Sequence, residues 1–183
     1  MPSSPSGALW ADLLARARQE VIAVAGADAA MPLTYVALRQ MTLVDALIKE
    51  TLRVHPQSVF SLRGVRADCE IAGYALPAGG TIMLVPAYTH RMPEYFADPN
   101  VFDPDRFLPP RQEDVKHPYA FIGFGGGPRI CIGEALARIE IKALLAQLLR
   151  RYELALASDQ NLTPRYAPSR PKGDVLIEYG ERT

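Results

Sequence analysis

The residues best suited to chemistry lie in one short stretch, Phe124-Gly-Gly-Gly-Pro-Arg-Ile-Cys-Ile-Gly133. Glycines let a flat ligand approach the backbone closely, because no Cβ stands in the way. Cys131 follows at what reads as the start of a helix. There, free N–H groups and the positive end of the helix dipole favour a thiolate. Arg129, two residues earlier, is placed to pair with a carboxylate of the same ligand. A metal ion on the sulfur would complete its deprotonation. Rival readings fit poorly. A phosphate-binding loop needs a lysine after its last glycine, and here Pro128-Arg129 follows; the dinucleotide fingerprint fails on glycine spacing. A zinc site needs clustered ligands, whereas Cys69, His55, His90 and His117 are scattered. What remains is a buried structural cysteine beside a turn, which the ten-residue context disfavours.

Other elements must hold this loop in place. Residues 8 to 24 read as an amphipathic helix, with Leu9, Leu13, Ala17 and Val21 at four-residue steps on one face. Thr34 is suited to cap a second helix that runs to about Val54 and stops at Pro56. Glu50 and Arg53 share one face of it, a pairing that by itself is common on solvated helices. Strand-like pieces follow at Ser58 to Arg63, Cys69 to Ile71 and Thr81 to Val85, with Gly79-Gly80 as a turn. Seven prolines from Pro86 to Pro118 predict an irregular meander without a regular helix. Tyr88, Tyr95, Phe96, Phe102 and Phe107 give it core contacts of its own. A long helix is expected from about Cys131 to Tyr152. Leu144, Leu145, Leu148 and Leu149 make its second half apolar enough to be buried. The tail from Leu154 suggests a last hairpin ending in Val175-Leu176-Ile177.

The chain of 183 residues suits one domain after a flexible start over residues 1–7. Lys plus Arg and Asp plus Glu are both 20, so the zero net charge gives no argument for binding nucleic acid or an anionic membrane. Two cysteines are too few for a disulfide framework, and a reduced, cytoplasmic compartment is the default. The longest early apolar run, Val21 to Ala27, is too short for an export signal or a bilayer span, so no membrane anchor is expected in this chain.

With its upstream motifs, the cysteine loop resembles the heme-thiolate monooxygenases of the cytochrome P450 family. The family pattern Phe-x-x-Gly-x-Arg-x-Cys-x-Gly is matched at Phe124, Gly127, Arg129, Cys131 and Gly133. Glu50-x-x-Arg53 and Pro104-Asp-Arg106-Phe107 precede it in the family's order. The resemblance runs from about residue 8 to the final strand, so residues 8–183 are expected to form a partial domain. The fold it implies is α+β and mostly helical: helices J, K and L, small β-sheets and a long coil meander, the C-terminal part of the P450 fold. It implies Cys131 as the catalytic residue and proximal ligand to the iron of heme b, the thiolate favouring O–O cleavage. It places Arg129 on a heme propionate, Phe124 near the sulfur beside Gly125, and Ile132, Gly133 and Ala137 against the porphyrin. Glu50, Arg53 and Arg106 become a buried structural cluster that locks the meander under the heme. Arg63 falls where the family has a second propionate-binding arginine, with a plain surface arginine as the alternative. Ser58 and Val59 fall where members contact substrate. His90-Arg91-x-Pro93 matches a His-Arg-Asp-Pro stretch, with Met92 in place of Asp, and reads as structural.

The expected function is insertion of one oxygen atom from O2 into a small organic substrate. Electrons would come from a ferredoxin, flavodoxin or reductase docked over the Cys131 loop. Family members are much longer, and this chain begins at helix J. No counterpart of helix I, with its acid–alcohol pair for proton delivery, is found. Turnover is therefore expected to need a missing N-terminal half, and apolar surface around Ile132 to Leu149 is expected to stand exposed. The alternatives are a truncated heme-binding or interaction fragment without turnover, and a member with peroxide-rearranging chemistry.

Overall fold

The computed structural model describes residues 7–157, 164–166, 169–171 and 173–182. Most of the expected flexible start lies outside them. Helix α1 (Gly7–Ala25) turns Leu13, Ala17 and Val21 into the core, while Leu9 in its first turn stays exposed. Gly26 ends it in the left-handed region at φ 76°, its N–H returning to Ile22 O at 2.9 Å.

The single helix expected from Thr34 to Val54 is two helices, α2 (Tyr35–Gln40) and α3 (Thr42–Val54). Thr34 caps α2 by accepting the Ala37 N–H at 3.1 Å. The break falls at Met41 because α1 supplies a cap for α3 from outside. One Glu20 oxygen accepts the N–H groups of Thr42 and Leu43 at 2.7 and 2.8 Å, and the other accepts Val44 at 2.9 Å. A carboxylate there satisfies three orphan donors and meets the positive end of the α3 dipole. Met41 itself is fully buried and anchors the corner.

Four two-stranded antiparallel pairs follow among the described residues. Strand β1 (Ser61–Gly64) pairs with β4 (Thr81–Leu84), and β2 (Cys69–Ile71) with β3 (Tyr74–Leu76). β1 starts at Ser61 rather than Ser58, because Ser58 Oγ donates to Phe60 O at 2.8 Å and turns the chain before the ladder begins. The meander does contain one α-helical turn, α4 (Pro86–Thr89), opened by a proline at a position that needs no N–H donor, and two 3-10 turns, Pro104–Phe107 and Glu113–Val115. Phe96 and Phe107 form a second core with Ala46 and Ala120, and Tyr95 packs against it. Tyr88 is exposed, contrary to expectation.

Helix α5 (Glu134–Arg151) begins three residues later than the expected Cys131 and packs against α1 and α3. Ala146 and Leu149 join the main core with Val21, Met41, Val44 and Ile48. Asp45 of α3 ties α5 down through Arg138 and through Lys142 Nζ at 3.0 Å. Burial pushes the Asp45 carboxyl up, but hydrogen bonds from these two cations outweigh it and hold the group below its usual range. Leu144 is 62% exposed rather than buried, part of the open apolar surface expected around Ile132 to Leu149, because its neighbours cover one side of the helix only.

Strand β5 (Tyr152–Leu156) runs straight on from α5 and pairs with β8 (Ile177–Glu181). The last strand therefore starts at Ile177, where the sequence suggested it would end; the short pair β6 (Pro164–Tyr166) and β7 (Ser169–Pro171) intervenes. The rest of the tail expected to form the hairpin lies partly outside the described residues. The architecture is mixed, with helices and small sheets around a coil meander, as the sequence predicts. No helix among the described residues is long and apolar enough to cross a membrane.

Candidate functional site

Two groups of residues meet at the C-terminal end of α3: a buried ionic cluster and the glycine-rich cysteine loop. Glu50, Arg53 and Arg106 are each 0% exposed. Arg53 grips Glu50 with two prongs, Nε to Oε2 at 2.6 Å and Nη2 to Oε1 at 2.8 Å. Its other donors go to meander carbonyls: His90 O at 2.8 Å, Pro99 O at 2.7 Å and Val101 O at 3.1 Å. Arg106 adds Ala97 O at 2.7 Å and shares Val101 O at 3.1 Å. A meander without a ladder leaves its buried carbonyls in need of donors, and two planar guanidinium forks supply them. Arg53 also lies 5.4 Å from the Phe96 ring centroid.

Glu50 Oε1 accepts the Asp103 N–H at 2.7 Å and Arg106 Nε at 3.3 Å. A nearer counter-charge for Arg106 is Glu113, whose Oε2 lies 2.8 Å from Nη1. Burial pushes the Glu113 carboxyl up, and hydrogen bonds from Arg111 and Arg106 more than reverse this. Sequence reasoning missed Glu113; an acid in an irregular stretch carries no periodic signal. The cluster is thus balanced, two arginines against two carboxylates.

His90 is the other buried polar side chain at this junction. Its Nε2 accepts the Ile122 N–H at 2.9 Å, and its ring stacks on Phe121 with centroids 5.2 Å apart. Burial first, and the Arg53 charge second, push its pKa down to about 4, against a weaker pull from the Arg53 and Leu52 backbone. The folded value lies below the unfolded one, so protonation favours unfolding. The stabilisation is whole above about pH 6.5 and is lost as the pH falls through about 4. Thermal unfolding should therefore show a falling midpoint across that window, worth up to about 3 kcal/mol from His90. His55, lowered by burial and by Arg91, adds a smaller part. His90→Gln should remove most of the slope; an unchanged slope would assign it elsewhere.

The cysteine loop closes on itself. Phe124 O accepts the Cys131 N–H at 2.9 Å, and Ile122 O accepts Gly125 N–H at 2.9 Å. Gly125 and Gly127 hold left-handed φ angles of 82° and 66°, which side chains rarely tolerate. Cys131 is a free, exposed thiol just before α5. A Cβ built on Gly133 would lie 3.8 Å from its sulfur, so glycine keeps that side of the thiol open. Ile130 and Leu136 are exposed around it, and Ile132 is 102% exposed. Beside them opens a groove of about 460 Å³, lined by Cys131, Ile132, Leu38 and Ile139 on one hand and by the charged Arg39, Asp45, Glu134, Arg138 and Lys142 on the other.

The described residues contain no group of three His, Cys, Asp or Glu able to hold a metal ion, so no full protein ligand set surrounds this sulfur among them. An ion already held in a macrocycle needs only one axial donor from the protein, which Cys131 can supply. A soft thiol donor, an apolar rim and the exposed Arg129 suit a flat, largely apolar group with carboxylate arms. Of the other expected contacts, Phe124, Gly133 and Ala137 are half-buried, and Gly125 is exposed. Arg63 is exposed on β1 and folds back on its own strand, Nη1 donating to Ser61 Oγ at 2.6 Å and Leu62 O at 2.9 Å. Ser58 is exposed and Val59 half-buried just before β1. No described hydrogen bond or ion pair joins Arg63, Ser58 or Val59 to the Cys131 loop.

Comparison with known proteins agrees with this geometry. The family model for cytochrome P450 matches residues 11–177, which include both the ionic cluster and the cysteine loop. Cytochrome P450 4d1 of Drosophila simulans is 42% identical over 167 residues, covering 90% of this chain and 33% of that protein. Sterol 14alpha-demethylase of Mycolicibacterium vanbaalenii is 43% identical over 121 residues, covering 66% of this chain and 27% of that protein. The solved structure of retinoic acid bound cyanobacterial CYP120A1 superposes with a TM-score of 0.86 at 31% identity, over 95% of this chain and 40% of that chain. The chain spans about a third of the length of the curated relatives it matches. By its cysteine loop, its buried arginine cluster and these likenesses, the chain belongs to the cytochrome P450 family.

Proposed function

We propose that this chain forms the proximal half of a heme-thiolate monooxygenase site, with Cys131 as the axial ligand to the iron of heme b. The observation that carries the reading is the exposed Cys131 thiol, set beside the exposed Ile130 and Ile132 with a glycine next to it. When bound, a thiolate-ligated heme supplies O–O cleavage and transfer of one oxygen atom to an organic substrate. The chain's own residues would do the rest. Arg129 would bind a propionate, and Arg63 would do so after leaving its own strand. Phe124, Gly125, Ile132, Gly133 and Ala137 would pack around the ring and exclude water from the sulfur. Glu50, Arg53 and Arg106 would hold the meander beneath it. Ser58 and Val59 would face a small organic substrate. A ferredoxin, flavodoxin or reductase would dock over the loop, and an upstream portion, on this or another chain, would complete the distal side. Two free thiols fit a reducing, cytoplasmic setting.

Titrating the purified chain with hemin, then reducing it under carbon monoxide, tests this. A strongly red-shifted Soret band is expected, and Cys131→Ala should abolish it completely. An unshifted band, or the same band without Cys131, would sink the reading. A second reading, a heme-binding fragment without turnover, draws support from the exposed Ile132, Leu136 and Leu144. Heme uptake with no oxygen-dependent product from the chain alone would favour it.

A further inference from the structure

We propose that His90 is a positioning residue: its Nε2 ties the entrance of the cysteine loop to the buried Glu50–Arg53 pair and so sets where the Cys131 sulfur stands. The path is continuous. The carboxylate of Glu50 holds Arg53, at 2.6 and 2.8 Å. Arg53 Nη1 donates to His90 O at 2.8 Å. The imidazole of His90 accepts the Ile122 N–H at 2.9 Å. Ile122 O accepts Gly125 N–H, and Phe124 O accepts Cys131 N–H, both at 2.9 Å. A helix in the core is thereby linked to the sulfur-bearing residue through one side chain of the meander.

The alternative is that His90 only fills space, and its hydrogen bonding argues against that. Because Nε2 accepts, the ring proton sits on Nδ1, which is buried beside the Arg53 and Leu52 backbone without a well-formed hydrogen bond. A buried donor so poorly paired is a cost that a phenylalanine of similar shape would avoid. Phenylalanine would also keep the stacking on Phe121. What imidazole adds is an acceptor, aimed at an N–H that opens a loop with no ladder to satisfy it. The tether is a property of the protein alone; its effect on a ligand at Cys131 rests on the function proposed above.

Amide hydrogen exchange on the 183-residue chain tests the tether. His90→Phe should speed exchange at Ile122, Gly125 and Cys131 by roughly tenfold. The Asp103 amide, held by Glu50, should not change. His90→Gln, whose amide oxygen can accept, should restore Ile122; His90→Leu replaces the Phe variant if that one does not fold. Uniform acceleration at Ile122 and Asp103, no acceleration, or a Gln variant as fast as Phe would each overturn the tether. With hemin bound, the thiolate-type band should weaken in His90→Phe and recover in His90→Gln. Equal bands in all three would overturn the claim that the tether positions the sulfur. Should the wild-type chain show no such band, the functional reading fails, and the tether stands or falls on exchange.

Discussion

Glu50→Gln is expected to cost about 3–5 kcal/mol of folding free energy, because it strands buried cations. Glutamine keeps the shape of glutamate, so the change isolates charge from packing. Arg53, fully buried, would be left with carbonyl dipoles and an amide in place of its two-pronged carboxylate. The Asp103 N–H and Arg106 Nε would lose the same charged acceptor. A domain holds only about 5–15 kcal/mol in total, so the variant should sit near the edge of folding. Urea unfolding with an unchanged m-value would read the loss as a shifted midpoint. A loss below about 1 kcal/mol would place the pair in the range of solvent-exposed ion pairs, against its 0% exposure.

Arg106→Met should be nearly as damaging, with the opposite charge left over. Glu113 would remain buried with only the partly exposed Arg111 against it, 2.8 Å away. Ala97 O would lose its 2.7 Å donor. The expected cost is again about 3–5 kcal/mol. Distances decide which partner matters more: Glu113 lies 2.8 Å from Arg106 and Glu50 lies 3.3 Å away. Double-mutant cycles should therefore give a larger coupling between Arg106 and Glu113 than between Arg106 and Glu50, within about 0.5–3 kcal/mol. The reverse order would restore the simple triad of Glu50, Arg53 and Arg106 and leave Glu113 an accessory.

Local chemistry was legible in the sequence because it acts over a few residues. Thr34 caps α2 as read, and the strands at Cys69–Ile71 and Thr81–Leu84 fall where β-rich runs put them, though which strands they pair with, Tyr74–Leu76 and Ser61–Gly64, is not given by the pattern. The spacing around Cys131, with the Glu50-x-x-Arg53 pair upstream, points to the family from the sequence by itself. Tertiary structure decided where partners lie far apart along the chain. Glu20 splits one expected helix at Met41 from some twenty residues upstream, since a carboxylate that caps a helix needs only to be near it in space. Leu144 is exposed because burial depends on which side of α5 has neighbours, and periodicity does not say. Glu113 and the His90–Ile122 contact were invisible for the same reason. A buried charge or N–H must find a partner, but in a coil meander only the folded path determines which one is within reach.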